Sequence, residues 1–591
     1  MDTPFDVIII GAGAAGCALA GRLSEVPTKR VLLLEAGPDA PAGREHPDIR
    51  DAFPVSMNNP KFRWPDLMAQ IGVGPTGTTG SNSSGTDPRA SPRDASTTPR
   101  PYIQGFGVGG GSNINGMIAF RGFPEDYDAW RDQGATGWGW HDVLPYFKKL
   151  EHDLDFSGPL HGNDGPIPIR RIAPRDWGSF GKAFARVLAR RGYPTVADCN
   201  ADFRDGVVAV PMNGLADRRV SASMAYLTSD VRRRPNLTLA TDTVVEQLII
   251  ESGRATGVLT KRMDTPSAGE DPQRRFAARE IIVSCGGLYS PALLLRSGIG
   301  PGPHLQSLGI KVCQDLPGVG RNLQNRPKIE VVFHLPRAHR QQPFQRGLGQ
   351  DCLRYSSGVP GCPEHDMGIK VINRTAWHAL GARIGALGVG VYKAYSKGTV
   401  ELFGPDPAAP PRVRFNALTD ERDFERLVRG LRFALQLLLD AEIASYRNEI
   451  FVPPAKVAAG LSVKTTANAL RARAIAAALE IGPLRRALLK RFTVNVDELV
   501  NDEEALRAFV RRHFGVGWHV CGTCKIGRMD DPYAVVDAEC RVRGIQGLRV
   551  VDASVFPSVA GEGGMQLGVL MVAEKMADRI KAQWNAVEAA A

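Results

Sequence analysis

Apart from Asp6, residues 5–10 (FDVIII) are continuously apolar, and so are residues 31–34 (VLLL). Strands buried on both faces read this way, so each run predicts a strand of a parallel sheet. Between them GAGAAGCALAGRLSE predicts a glycine turn opening a helix, which completes a βαβ unit. Residues 233–262 predict strands separated by a Gly-bearing turn. AAREIIVSCGG (277–287) predicts another buried strand ending in a glycine turn. Patterning is mixed from about 330 to 400, with alternating stretches such as GTVELFG (398–404), and it is helical over 417–440 and 466–492. LRVVDAS (548–554) reads as a strand carrying an acid. A glycine-rich turn, AGEGGMQ (560–566), and a buried helix follow it. Residues 72–99, rich in Gly, Ser, Thr and Pro without periodicity, predict a disordered loop, with a lid as the sharper reading.

Length and composition narrow the class. At 591 residues, two intimately packed domains are expected. With 43% hydrophobic and 23% charged residues the chain is globular, and no apolar run is long enough for a membrane span. The first strand begins at Phe5, which leaves no room for a signal peptide, so a cytoplasmic protein is expected. Nine scattered cysteines, an odd number, fit reduced thiols. The net charge of +11 reads as an arginine-rich solvated surface, because the aromatic-plus-basic motifs of nucleic-acid modules are missing. Residues 466–492 carry six Arg/Lys and read as a solvated amphipathic helix, with docking to a membrane or partner as the alternative.

The first chemical signature is Gly11, Gly13 and Gly16, a G-x-G-x-x-G directly after a strand and opening a helix. Gly11 permits the tight turn and Gly13 the approach of a pyrophosphate. Gly16 permits helix–strand packing, and the helix N-terminus, with Ala14 and Ala15, faces the anion. Glu35, ending the next strand beside Ala36, is placed to accept ribose hydroxyls. The pattern predicts a dinucleotide site and leaves NAD and FAD open.

Further stretches decide between them. GFGVGGGSNINGMIAFRGFPEDYDAW (105–130), GGLYSPALLLRSGIGP (286–301), GVGRNLQNRP (318–327), WHVCGTCKIG (518–527) and VVDAECRVRGIQGLRVVDASVFP (535–557) resemble, in order and spacing, signatures of the glucose–methanol–choline (GMC) oxidoreductases. PLHGNDGPIPI (159–169) is similar to the branch holding bacterial aryl-alcohol and hydroxymethylfurfural oxidases. The resemblance implies an α/β fold with a Rossmann-like FAD domain assembled from both chain ends. An α+β substrate domain on a mainly antiparallel sheet would be interleaved with it. The implied division gives residues 1–160, 231–325 and 513–591 to the FAD domain and 161–230 and 326–512 to the substrate domain. By position, Gly109, Gly110, Gly111, Asn113, Asn115 and Gly116 would lie along the flavin and Val244 near adenine. Asp552, Ala553, Gly564 and Met565 would lie near the phosphate–ribitol chain and flavin. No histidine precedes GGGSN at the family's usual covalent position, so FAD is expected to be non-covalent.

His519 falls where the family carries its active-site histidine, and a histidine near neutral pKa suits removal of a hydroxyl proton while hydride passes to the flavin. The expected activity is FAD-dependent oxidation of a CH–OH group in a mid-sized aromatic or natural-product alcohol. Oxygen or another acceptor would reoxidise the flavin, and the oligomeric state is open. The neighbouring C-x-x-C, Cys521 and Cys524, reads as two small residues in a tight turn, and no metal site is expected. The family's second polar residue, His or Asn, would fall at Gly563 or Gly564. Glu562 and Gln566 are therefore the candidates to supply its function, against a reading of Glu562 as a solvated loop acid. The two glycines are expected to free volume for a bulky substrate. Asn325-Arg326 also departs from the family's Asp-His. Alternatives are lyase-type chemistry on the same fold and a non-catalytic flavin-binding subunit docking through 466–492.

Overall fold

The computed structural model describes residues 4–72, 98–263, 273–341, 347, 349–453 and 455–590. The predicted loop 72–99 lies, but for its ends, outside the described residues. The chain ends meet in one parallel sheet ordered Leu237–Ala240, Val31–Leu34, Phe5–Ile10, Gln273–Val283, Leu548–Val550. Its central strands are apolar at nearly every position because both faces are covered, and Val7 to Ile9, Leu33 and Ile281 to Val283 are fully buried. The first half of Gln273–Val283 extends into an antiparallel meander with Arg254–Arg262 and Thr243–Glu251. This is the α/β arrangement expected, with a C-terminal strand completing a sheet begun at residue 5.

The helix Ala14–Leu23 packs against the C-terminal helix Met565–Ala590. Arg22 Nη2 lies 2.9 Å from Glu574 Oε1, and Tyr226 Oη donates to the same carboxylate at 2.9 Å. Glu574 is fully buried, so the pair fixes one helix against the other where solvent screening is weak.

A second, mainly antiparallel sheet runs Ile450–Phe451, Pro327–His334, Ile384–Val391, Met367–Ile372, Asp351–Tyr355, Gly206–Ala209, Thr195–Val196. The mixed patterning from 330 to 400 thus resolves into central strands with one face packed. Ile329, Val331, Leu387, Val389, Ile369 and Val371 point into a core shared with Leu427, Leu431 and Leu435 of helix Glu421–Leu439. The helix expected over 466–492 is two, Thr466–Glu480 and Gly482–Leu489, because Pro483 lacks the N–H that would continue the first and instead starts the second. Among the described residues no helix is long and apolar enough to cross a membrane.

Candidate functional site

A deep cleft opens at the C-terminal ends of the parallel strands. Gly11, Gly13, Ala14, Ala15, Glu35, Ala36, Gly110, Gly111, Asn115, Val244, Asp552, Ala553, Met565 and Gln566 all line it. All but Gln566, a candidate for the reaction itself, are expected at the cofactor from the sequence. Gly11 has φ +95°, and a Cβ there would meet the Ser284 carbonyl oxygen at 2.7 Å, so the turn needs glycine. Burial pushes the Glu35 carboxyl up, against three backbone N–H donors that favour its charge: Ala12 at 2.8 Å, Gly37 at 2.9 Å and Gly107 at 3.2 Å. A carboxylate has about four acceptor sites, so one remains for a ribose hydroxyl. Burial likewise raises Asp552, which accepts from the N–H groups of Gly286 and Ser554, each at 2.7 Å.

Other expected residues stand behind this surface. Gly16 packs on the Gly11 carbonyl, as its role in helix packing demands. Gly109, at φ +103°, turns the loop, and Asn113 braces it by donating to the Val108 carbonyl at 2.7 Å. Neither lines the cleft, and nor do Gly116 and Gly564. These four support or neighbour the loops that form the wall.

Asn115 and Gln566 meet inside the cleft, with Asn115 Nδ2 donating to Gln566 Oε1 at 2.5 Å. Arg219 Nη1 donates to Asn115 Oδ1 at 2.6 Å. Arg219 is fully buried, which lowers its pKa to about 9. The amide Nε2 of Gln566 is buried without a hydrogen-bond partner among the described residues.

His519, itself half-buried and not part of the cleft wall, lies between Trp518 and Val520, both of which line the cleft. Its main chain is bracketed by Asn325. Asn325 Oδ1 accepts from the His519 N–H at 3.1 Å and the Arg326 N–H at 2.8 Å. Its Nδ2 donates to the Gly517 carbonyl at 2.9 Å and the Tyr102 hydroxyl at 3.1 Å. An aspartate could not donate the last two, which gives the change from the family's Asp a local reason. The ring sits on Gly517, where a Cβ would come within 2.7 Å of His519 Nδ1. Burial and the charges of Arg326, Lys370 and Lys328 hold the imidazole well below its usual pKa, so it is neutral at pH 7.

The turn 560–564 differs most from expectation. Glu562 is 2% exposed and does not line the cleft. Its carboxylate accepts from Arg354 Nε at 2.6 Å, and Tyr392 Oη lies 3.4 Å away. It is neither a free base nor a solvated acid, but an ion-paired clamp. The glycines free no volume either. A Cβ on Gly564 would meet the Ile118 carbonyl oxygen at 2.5 Å, and one on Gly563 the Arg121 carbonyl oxygen at 3.0 Å. They are required because the turn is pressed onto the backbone of 118–122. Arg326, absent from the candidates, grips this turn from the other side. Only its replacement of the family's histidine marked it in the sequence. Arg354, Tyr392 and Lys370 carried no sequence signal.

Cys521 and Cys524 are buried and unpaired, and burial pushes the Cys521 thiol up to about 12, which fits packed turn residues. Away from the cleft, Glu151, Asp153 and His161 gather in a buried cluster. Arg121 pairs with Glu151, Arg171 with Asp153 at 2.9 Å, and His161 Nε2 with Asp198 at 2.8 Å, so cations of the protein already occupy it.

Sequence models of the GMC oxidoreductase family match residues 5–328 and 394–573. The chain is 38% identical to 5-(hydroxymethyl)furfural oxidase of Methylovorus sp. (strain MP688), over 98% of this chain and 99% of that protein. It is 32% identical to oxygen-dependent choline dehydrogenase of Sinorhizobium medicae (strain WSM419), over 97% of this chain and 95% of the relative. The crystal structure of pyridoxine 4-oxidase from Mesorbium loti superposes with a TM-score of 0.78 at 26% identity, covering 97% of this chain and 99% of the other.

Proposed function

Because the chain belongs to the GMC oxidoreductase family and is an FAD-dependent alcohol oxidoreductase, we propose that it oxidises the CH–OH group of a mid-sized aromatic alcohol with His519 as proton acceptor. The observation that carries the reading is a neutral imidazole between two residues that line the cleft. Bound FAD supplies the two-electron acceptor for the alcohol carbon. Gly11, Gly13, Ala14, Ala15, Glu35 and Ala36 would hold its ribose and pyrophosphate and Val244 its adenine. Gly110, Gly111, Asn115, Asp552, Ala553 and Met565 would hold the remainder, without a covalent bond.

Within the protein, His519 Nδ1 is sealed against Gly517, which leaves Nε2 to take the hydroxyl proton. Gln566 Nε2, the buried donor without a partner, takes the place of the family's second polar residue and stabilises the developing alkoxide. Asn115 fixes the orientation of that amide by occupying its oxygen. Glu562 and Arg326 act one step away by holding the turn that leads to Gln566.

An aromatic substrate is supported by the relative named for 5-(hydroxymethyl)furfural, and oxygen as acceptor by the words oxidase and oxygen-dependent in the relatives' names. A cytoplasmic location fits nine unpaired cysteines among the described residues. Anaerobic addition of an aromatic primary alcohol tests the activity. Bleaching of the flavin band with formation of the aldehyde is expected, whereas product without bleaching would favour lyase chemistry.

A further inference from the structure

Building on the alcohol-oxidation reading, we propose that the substrate carries a carboxylate, bound by Lys370 on the open face of the antiparallel sheet that looks toward His519. Strand register defines that face. Lys328 lies opposite Gly390, Glu330 opposite Gly388, and Gly388 opposite Lys370. Residues directly opposed in an antiparallel pair share a face, so Lys328, Glu330 and Lys370 project together. The alternate residues Ile329, Val331, Ile369, Val371, Leu387 and Val389 project into the core on the other side.

Three contacts tie this face to the site. Lys328 Nζ lies 4.8 Å from the ring centroid of Trp518, which adjoins His519 and lines the cleft. Arg326, two residues before Lys328, grips the turn 560–563. Cys352, opposite Lys370 in register, lies 3.4 Å through its sulfur from the Tyr392 hydroxyl, which in turn reaches Glu562. The face is also open. A Cβ on Gly390 would meet nothing within 4 Å, and Glu330 keeps 41% of its side chain accessible.

The charges here do not balance. Lys328 pairs with Glu330 at 2.7 Å, and Arg354 takes Glu562. The Arg326 side chain donates only to backbone carbonyls. The Lys370 ammonium has no hydrogen bond or ion pair with any described residue. The Lys370 ammonium is therefore left without a carboxylate of the protein paired to it. Burial, together with Lys328 and Arg326, presses the Lys370 pKa down, and the same cations press on His519. A substrate carboxylate relieves both. It also offsets the charge that His519 gains when it accepts the hydroxyl proton, which three cations would otherwise oppose.

The test compares anaerobic flavin reduction by 4-(hydroxymethyl)benzoate and by its methyl ester, alcohols of one ring that differ in charge. The wild-type protein is expected to favour the acid in kcat/KM. Lys370→Met should shift the acid-to-ester preference about ten- to a hundredfold toward the ester, and Lys370→Arg should restore part of it. An ester preferred by the wild type, or a preference unmoved by Lys370→Met, would overturn the proposal. A second arm needs no turnover. Benzoate, but not benzamide, should perturb the absorbance of the bound flavin, with affinity about ten- to a hundredfold weaker in Lys370→Met. If neither alcohol reduces the flavin while benzoate binding still depends on Lys370, the oxidation reading fails and the carboxylate site stands. Benzoate binding that is absent or indifferent to Lys370 overturns the site.

Discussion

The guanidinium of Arg326 donates to the carbonyl oxygens of Ala560 and Gly563, each at 2.7 Å. Two departures from the family pattern, Asn325-Arg326 and the turn AGEGG, are thereby one structural unit. The side chain that replaces a histidine holds the turn that lost its polar residue.

Removing the clasp should be costly. Arg326→Met leaves buried carbonyls without donors, a loss of about 2–3 kcal/mol. The expected outcome is a lower thermal midpoint of the FAD-loaded protein. An unchanged midpoint would contradict the coupling of the two segments.

Gly564→Asn, which puts a polar residue at one of the two positions where the family resemblance implies one, should damage the fold without restoring a partner. Its Cβ would lie 2.5 Å from the backbone oxygen of Ile118, and backbone at that distance cannot swing aside as a side chain tip can. Weaker FAD retention and a lower midpoint are expected in a titration of the apoprotein. A stable variant with raised activity would show that the turn has the free volume the close contacts deny.

Gly517→Ala probes the seat of His519. The added methyl would come 2.7 Å from Nδ1, so the ring must move. Misplacing a catalytic base by about 1 Å costs on the order of a hundredfold. A fall of that size in the rate of flavin reduction is expected, with FAD content unchanged.

The pH dependence follows from the depressed pKa of His519. Burial first, then Arg326, Lys370 and Lys328, place it well below its ordinary value of 6.5. The free protein therefore holds the neutral base through neutral pH, and the acid limb of kcat/KM should centre below 6.5. Between the depressed value and 6.5 the unfolded chain binds more protons than the folded one, so stability falls as pH drops through that window. A limb centred at or above 6.5 would mean that the cations do not act on this ring.

Much of the cofactor wall was legible in the chain because backbone requirements write themselves as glycines at fixed spacing. Gly11 and Gly13 are readable from steric rules, Glu35 from its place at the end of the next strand, and Asp552 and Asn115 follow from the family signatures. The reaction side was less legible. Glu562 and Gln566 are four residues apart and chemically similar in reach, yet one turns to Arg354 and the other into the cleft. That choice depends on partners more than 200 residues distant in sequence, which local pattern does not encode. Lys370 was invisible for the same reason, since its meaning comes from strand register and from acids that already have partners.

The central claim is that His519 accepts the proton as the alcohol is oxidised. Stopped-flow reduction of the bound flavin under anaerobic conditions, with wild type and His519→Gln at matched FAD content, measures it directly. Loss of a positioned base should slow reduction by about 10²–10⁴-fold and abolish the acid limb of the pH profile. Reduction at the wild-type rate, or a variant that keeps the same acid limb, would contradict the assignment.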